Sequence, residues 1–187
     1  MRFALALSLP LALMAGCTAF NATPPSPAAG ELKPIAALDL SRYEGAWYEI
    51  AKFPNRFQQQ CAADTQAHYS RQDDGTVRVL NRCRVAGGGM DEAVGTARQL
   101  GGPDSPRLKV RFAPAWLSWL PSVWGDYWVV DLDAGYQLSA VSEPRREYLW
   151  ILSRTPRVEP ARYEALLQRL AAQGLDVARL ERTPQRP

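Results

Sequence analysis

Histidine, the commonest general acid–base and a frequent metal ligand, is almost absent from this sequence. His68 is the single histidine among 187 residues, so a Ser-His-Asp arrangement would have to be built on it. Strand alternation turns its side chain outward, and no nucleophile signature adjoins it. A zinc site would need more ligands than one histidine and two cysteines, and Gly87-Gly88-Gly89 resembles a turn rather than a phosphate-binding loop. We therefore expect no catalytic residue, no metal site and no cofactor.

The chain also lacks a strong charge of either sign. The formal net charge is +3, and arginine is scattered between acidic residues rather than gathered on one stretch, which argues against nucleic-acid binding. Apolar residues make up 47% of the chain and charged residues 22%. This composition is sufficient for a sizeable core and is not that of a disordered chain.

The first residues have the pattern of an export signal. Arg2 precedes an apolar stretch, Phe3 to Met14, that is too short to span a bilayer as a permanent helix. The following Ala15-Gly16-Cys17 resembles a bacterial lipobox, in which the cysteine is acylated and becomes the new N-terminus; Met14 departs from the usual leucine. Thr18, where an aspartate would retain the protein in the inner membrane, favours the outer membrane. The alternative is an ordinary signal cut nearby, with Cys17 incidental.

These features divide the chain into three parts. We expect a lipoprotein signal peptide over residues 1–16 and a lipidated, proline-rich tether over 17–34. One folded domain follows over 35–187, facing the periplasm from a lipid anchor in the outer membrane.

Cys61 and Cys83 remain once Cys17 is set aside. An even pair of cysteines in an exported protein predicts a disulfide; the alternative is two buried free thiols. If the two strands flanking the hairpin turn at Asp73-Asp74-Gly75 pair regularly, the two cysteines are about three residues out of register. One β-bulge corrects a single residue. The prediction therefore requires the first long loop to fold back.

Alternating apolar residues between turn signals predict an all-β domain. The predicted strands are 47–53, 65–71, 76–83, 92–100, 108–112, 126–131, 136–141 and 148–154. Eight consecutive strands with short connections indicate an up-and-down antiparallel barrel, whose interior holds one small ligand. Pro160 then opens a helix over 162–172 that Gly174 ends, and 175–180 is a candidate last strand.

Three segments resemble the motifs of the lipocalin family, in the family's order. Residues 43–51 resemble the first, Gly-x-Trp. Residues 131–136 resemble the second, although Leu132 replaces its threonine and the tyrosine comes later. Residues 148–154 resemble the third, a strand ending in arginine. The set is most similar to bacterial lipocalins of the apolipoprotein D-like group. The resemblance implies storage or transport of fatty acids, lysophospholipids or similar lipids in the cell envelope.

The motif residues Gly45, Trp47, Asp133, Tyr136 and Arg154 are expected to be structural. A barrel must be sealed at one end, and Trp47 would plug it with the Arg154 guanidinium stacked on its indole. Such a desolvated contact contributes about 2 kcal/mol.

Strand direction orders the two ends of the barrel. The turns at 73–75, 101–106 and 131–136 belong with Trp47 at the closed end, and the connections at 54–64, 84–91, 113–125 and 142–147 form the open mouth. Alternation places Ala51, Val77, Leu108 and Leu152 inside. The expected ligand-binding residues are Glu49, Phe53, Tyr69, Val79, Val110, Phe112, Tyr127, Val129, Tyr148 and Trp150, with Arg145 and Arg146 at the mouth for an anionic headgroup. The alternatives are side chains that simply fill the barrel and a solvated turn.

Residues 114–124, with three tryptophans, form an unusually apolar mouth segment. It would dip into a membrane, close over the ligand, or pair with a second subunit in a homodimer. Two other functions remain open: a lipid-modifying isomerase or hydrolase, with a buried Glu49 as its acid, and a structural envelope protein with a filled barrel.

Overall fold

The computed structural model describes residues 30–186, which form a closed antiparallel barrel with a helix on its wall. The strands are β1 Gly45–Lys52, β2 Cys61–Arg71, β3 Val77–Val85, β4 Met90–Gln99, β5 Arg107–Arg111, β6 Gly125–Leu132, β7 Leu138–Ser142, β8 Leu149–Ser153 and β9 Glu181–Arg182. The helices are α1 Leu40–Tyr43 and α2 Pro160–Ala172, with short 3-10 turns at Ala115–Leu117, Pro121–Val123 and Val177–Arg179. Strands β1 to β8 pair in sequence and β8 returns to β1. The eight-stranded up-and-down barrel and its C-terminal helix are confirmed.

Some expectations fall outside the described residues. These are the signal peptide at 1–16, acylation of Cys17 and most of the tether. None of the helices within residues 30–186 is long and apolar enough to span a membrane.

The described chain enters the domain at the mouth. Arg146, in the connection between β7 and β8, donates a hydrogen bond to the Gly30 carbonyl. The segment then reaches the closed end, where the Leu38 amide donates to the Asp104 carbonyl at 2.8 Å. Helix α1 follows, and its N-cap Asp39 accepts from the Ser41 amide. The N-terminal segment thus links the two ends of the barrel before β1 begins.

Two apolar cores lie on opposite sides of the barrel wall. The inner core fills the barrel around Trp47, which is fully buried. The outer core lies between the wall and α2, where Leu166 and Leu170 are fully buried. Burying each leucine contributes about 1.5–3 kcal/mol. Helix α2 is therefore a packing element against the wall.

Phe53 and Ala51 correct the predicted interior. The register of β1 against β8 shifts between Glu49 and Ala51, and this irregularity interrupts the two-residue alternation. Both side chains consequently belong to the outer core. The Arg179 guanidinium lies 4.4 Å from the Phe53 ring centroid, so the ring packs outside the barrel rather than in its predicted lining.

A seam, defined here as the gap between β1 and β2 in the mouth half of the wall, is filled by the C-terminal tail 181–186. β1 pairs with β2 only from Gly45 to Tyr48. Beyond that point the Thr183 amide donates to the Ile50 carbonyl at 3.0 Å, and the Asp64 amide donates to the Pro184 carbonyl at 2.8 Å. The expected strand at 175–180 is wrong: a 3-10 turn occupies that segment, and β9 pairs with β1 just after it.

The disulfide between Cys61 and Cys83 is confirmed, with Cα atoms 5.5 Å apart. Arg71 lies opposite Val77, and an unbroken ladder from that pair would place Cys61 opposite Gly87. Cys61 instead lies opposite Val85. Two register shifts within β2 produce this displacement. The pairing is thus achieved inside the strand rather than by a loop that folds back.

Candidate ligand-binding site

The closed end is sealed by one arginine. The Arg154 guanidinium lies 4.0 Å from the centroid of the Trp47 ring. It donates to the carbonyls of Ala46 at 2.9 Å, Arg42 at 2.7 Å and Tyr136 at 3.3 Å. Partial burial lowers the pKa of Arg154 from its ordinary value, but an arginine remains charged. These contacts tie α1, β1 and the turn before β7 together.

Gly45 is needed where the first strand passes this arginine. Its φ is +91°, a conformation that side chains disfavour. A Cβ built on it would lie 3.4 Å from Nη1 of Arg154. The glycine is therefore required by the positive φ at the start of β1, and a Cβ there would only just touch the guanidinium.

The Asp133 carboxylate organises the turn between β6 and β7. It accepts from the amides of Gln137 and Leu138, both at 2.6 Å. Tyr136 has a φ of +56°, and its hydroxyl accepts from the Asp39 amide at 3.1 Å. The turn therefore reaches α1 even though Leu132 stands where the motif has threonine; Leu132 itself packs against the inner core.

A tyrosine layer, formed by Tyr43, Tyr69 and Tyr127, crosses the closed half of the barrel. The Tyr127 hydroxyl lies 2.9 Å from that of Tyr69 and 3.2 Å from that of Tyr43. Tyr43 also lies within hydrogen-bonding distance of Ser139. Burial raises the pKa of all three phenols, which keeps them neutral. The layer satisfies its own polar groups inside an apolar lining.

Five of the expected ligand-binding residues lie in this closed half: Tyr69, Val79, Val110, Tyr127 and Val129. All but Val129 line a cavity of about 10 Å³, which also touches Leu38 and Leu40 near the closed end. That volume is roughly the space for one water molecule. This part of the interior is therefore nearly filled, as the filled-barrel alternative expects.

The open half is lined by aromatic rings. Tyr148 and Trp150, on the mouth side of β8, stack with centroids 5.7 Å apart, and the Phe57 ring lies 5.6 Å from Tyr148. Phe112 packs across Gly95, where a Cβ would lie 2.8 Å from its ring carbons. Phe57 remains 55% exposed and Phe112 44% exposed. The mouth half of the site is thus an aromatic surface open to solvent.

Phe57 was not expected from the sequence. It lies in the connection 54–60, where no strand or helix period exists to give its side chain a direction. Its apolar character inside a predicted mouth connection was the available signal.

Glu49 is buried where the seam meets the site. Its carboxylate accepts from the Thr183 hydroxyl and the Gln58 amide, both at 2.6 Å. Burial raises the pKa of Glu49, and these two hydrogen bonds oppose the shift. Gln58 also accepts from the Trp150 indole at 2.8 Å. One carboxyl group therefore connects the C-terminal tail, the first mouth loop and the aromatic lining.

The two mouth arginines have different environments. Arg145 is exposed and pairs with Glu147 at 2.9 Å. Arg146 has a φ of +57° and donates to the carbonyls of Gln173, at 3.1 Å, and Gly30. Its guanidinium is thus bound at the end of α2, on the outside of the barrel. Arg146 is therefore not free at the mouth, and of the two arginines only Arg145 is available there for a headgroup.

The tryptophan loop, residues 113–124, is held on the outer wall of the barrel. Trp124 lies between Arg98, 4.3 Å from its ring centroid, and Arg111, at 5.3 Å. Its indole donates to the Ser118 carbonyl at 2.8 Å. Trp116 and Trp119 are each 74% exposed. One tryptophan therefore anchors the loop and two project into solvent.

The single histidine does not lie at the site. His68 lies opposite Leu80 on β3 and is exposed. Within residues 30–186, no group of three or more histidine, cysteine, aspartate or glutamate side chains is placed to hold a metal ion.

Residues 38–185 match the family described as the Lipocalin-like domain. The chain is 41% identical over 157 residues to temperature-induced lipocalin-1 of Arabidopsis thaliana, covering 83% of each chain. It is 37% identical over 142 residues to the outer membrane lipoprotein Blc of Escherichia coli K12, covering 75% of this chain and 76% of that protein. Insecticyanin of Manduca sexta superposes with a TM-score of 0.62 at 20% identity, covering 81% of this chain and 83% of that one. That structural likeness concerns the fold alone.

Proposed function

The chain belongs to the lipocalin family, and we propose that it binds one lipid-like amphiphile in the mouth half of its barrel. The ligand class is a fatty acid or lysophospholipid, held for storage or transport in the cell envelope. The acyl chain lies against Trp150 and Tyr148, and the protein does not transform it.

The observation that carries this proposal is the contrast between the two halves of the interior. The closed half keeps a cavity of only about 10 Å³. In the open half, Phe57 and Phe112 leave large parts of their rings in contact with solvent. Removing such apolar surface from water stabilises a complex by about 25 cal/mol per Å². An acyl chain that stops above the tyrosine layer supplies this burial.

The polar end of the ligand belongs at the mouth. Arg145 is 73% exposed there, and a guanidinium pairs well with carboxylate or phosphate. Its closer partner, Glu147 at 2.9 Å, is itself half exposed, and the second carboxylate, Glu143, lies 4.0 Å away; a ligand anion would replace Glu147. Arg145 therefore favours anionic amphiphiles without being required for neutral ones.

The location we propose is the outer membrane, with an acyl anchor at Cys17 and the barrel in the periplasm. The lipobox-like residues 13–17 support the anchor. The similarity to a protein named outer membrane lipoprotein supports the location.

The binding test is a titration of dodecanoic acid and of neutral dodecanol into purified protein. Trp150→Ala should weaken both ligands by roughly tenfold, since it removes apolar contact that both share. Trp150→Phe keeps a ring in place and should retain most of the affinity. Arg145→Ala should weaken dodecanoic acid alone, and more at low ionic strength. Val94→Ala, on the outer wall, is the matched control.

Each competing function gives a different result. A filled structural barrel takes up neither ligand. A lipid-modifying enzyme returns chemically altered lipid, which mass spectrometry of the recovered ligand detects. Unchanged affinity in Trp150→Ala with intact uptake would remove the pocket from this half of the barrel.

A further inference from the structure

Large exposed hydrophobic side chains are gathered toward one end of the molecule. Among residues 30–186 they are Phe57, Met90, Val94, Phe112, Trp116 and Trp119. All except Val94 lie in mouth connections or at the adjoining strand ends, and Val94 lies on the outer face of β4 in its mouth half. The opposite end presents Asp73, Asp74 and Asp104. The large exposed apolar side chains are therefore concentrated at the mouth, which also carries the exposed carboxylates of Asp91 and Glu92, whereas the closed end is polar.

We call the mouth connections and the adjoining strand ends the rim. The tryptophan loop is its most apolar part. Residues 112–124 contain no charged side chain. Trp116 and Trp119 are each 74% exposed, while Trp124 fixes the loop to the outer wall between two arginines. Tryptophan is enriched where a protein meets the interface between lipid and water. A pinned loop presents its indoles without a large ordering cost.

Cations stand beside the apolar side chains. Arg56 is exposed, and its guanidinium lies 5.1 Å from the Phe57 ring centroid. Arg145 is exposed on the connection between β7 and β8. Exposed arginines next to insertable rings suit a surface that offers phosphate groups above an apolar layer.

Gly30, which follows the proposed tether, lies at the same end of the barrel as the rim. Gly30 is bound by Arg146 at the mouth end. Twelve residues separate it from Cys17, and their extended length is roughly 40 Å. An acyl group at Cys17 can therefore enter the bilayer that the rim faces; this step rests on the anchor proposed above, whereas the rim's composition does not.

We propose that the barrel docks mouth-down on a phospholipid bilayer, with Trp116, Trp119 and Phe57 inserted at the interface. In this orientation the aromatic half of the interior opens onto the leaflet, and an amphiphile exchanges between bilayer and barrel without crossing bulk water. The acidic closed end remains in solvent.

Vesicle partitioning tests the docking surface. The chain that begins at Thr18, which lacks both the apolar signal segment and the acylation site, is sedimented with vesicles of phosphatidylethanolamine and phosphatidylglycerol. Trp116→Ser with Trp119→Ser should lower its partition coefficient by at least about tenfold. Trp116→Phe with Trp119→Phe should retain most of the binding, and Val94→Ser should match the parent. Equal partitioning of the serine variant and the parent would overturn the proposal.

Fluorescence supplies an independent measurement. Lipids brominated near the headgroup should quench the parent protein, and the double phenylalanine variant should lose that quenching while still binding vesicles. No quenching in the parent would contradict insertion.

Two measurements separate this proposal from its competitors. Sedimentation velocity that finds a parent dimer, converted to monomer by the serine variant, would assign the rim to a second copy instead. A tenfold loss of dodecanoic acid affinity in that variant, with vesicle binding unchanged, would make the loop a lid. Vesicle binding that persists in a barrel taking up no ligand would refute the proposed function alone.

Discussion

At the scale of single residues, the protonation of the buried Glu49 carboxyl affects the stability of the fold. Burial raises the pKa of Glu49, and the positive charge of Lys52 partly opposes this shift. Because the pKa is higher in the folded protein, protonated Glu49 contributes to the free energy of unfolding, and this contribution is fully present below the pKa of the unfolded chain, about 4.3. That contribution is lost as the pH rises through the folded pKa.

Glu49→Gln should therefore stabilise the protein increasingly as the pH rises across that window. The amide is uncharged at every pH, and it can accept from Gln58 while donating to the Thr183 hydroxyl. Urea unfolding of both proteins over a pH series measures the difference in free energy of unfolding. Glu181→Gln, an exposed carboxylate on β9, is the control. A difference that does not change with pH would contradict the burial of an ionisable group here.

At the scale of elements, the disulfide joins β2 and β3 at the mouth end of their hairpin. It joins residues 22 apart in sequence, and restricting a loop of this length in the unfolded chain contributes about 3 kcal/mol. Replacing Cys61 and Cys83 with alanine should lower the free energy of unfolding by about that amount. Reductant should produce a similar loss in the parent and none in the double variant. A loss under reductant in both proteins would place the effect elsewhere.

The tail in the seam is a second element whose contribution can be isolated. Ending the chain after Leu180 removes the carbonyl of Pro184, to which the Asp64 amide donates. Hydrogen exchange at Asp64 should accelerate, while the ladder between β1 and β2 at Gly45–Tyr48 keeps its protection. Gln185→Ala removes only side-chain bonds to Glu49 and Thr65 and should leave the Asp64 amide protected. Equal exchange at Asp64 in the truncated and full chains would contradict a tail that closes the wall.

At the scale of the whole molecule, the anchor decides where the barrel works. Cys17→Ser should move the protein from the outer-membrane fraction to the soluble periplasmic fraction or leave it with an uncleaved signal, because the acylated thiol is absent. Mass spectrometry of the parent should find an acylated N-terminus at Cys17. An unlipidated parent would show that an ordinary export signal precedes the barrel.

The barrel follows from local rules, whereas parts of the site do not. Alternation and turn residues set the eight strands because each strand buries one face. Phe53 leaves the interior through a register shift that depends on β8. Arg146 turns outward because α2 ends beside it, and that helix is distant in sequence. The lining of β8 could be predicted because Arg154 fixes its phase, while the partners of Glu49 come from a loop and a tail without periodicity.

The seam also determines when the barrel wall can be completed during folding. Thr183 and Glu49, which meet across it, lie 134 residues apart, and the ribosome makes the first strand long before the tail. Local hairpins from β2 to β6 can pair as they emerge, since their partners are adjacent in sequence. The seam, in the mouth half of the wall, is filled only when the final residues are made, so a prematurely terminated chain exposes the edges of β1 and β2 in that half.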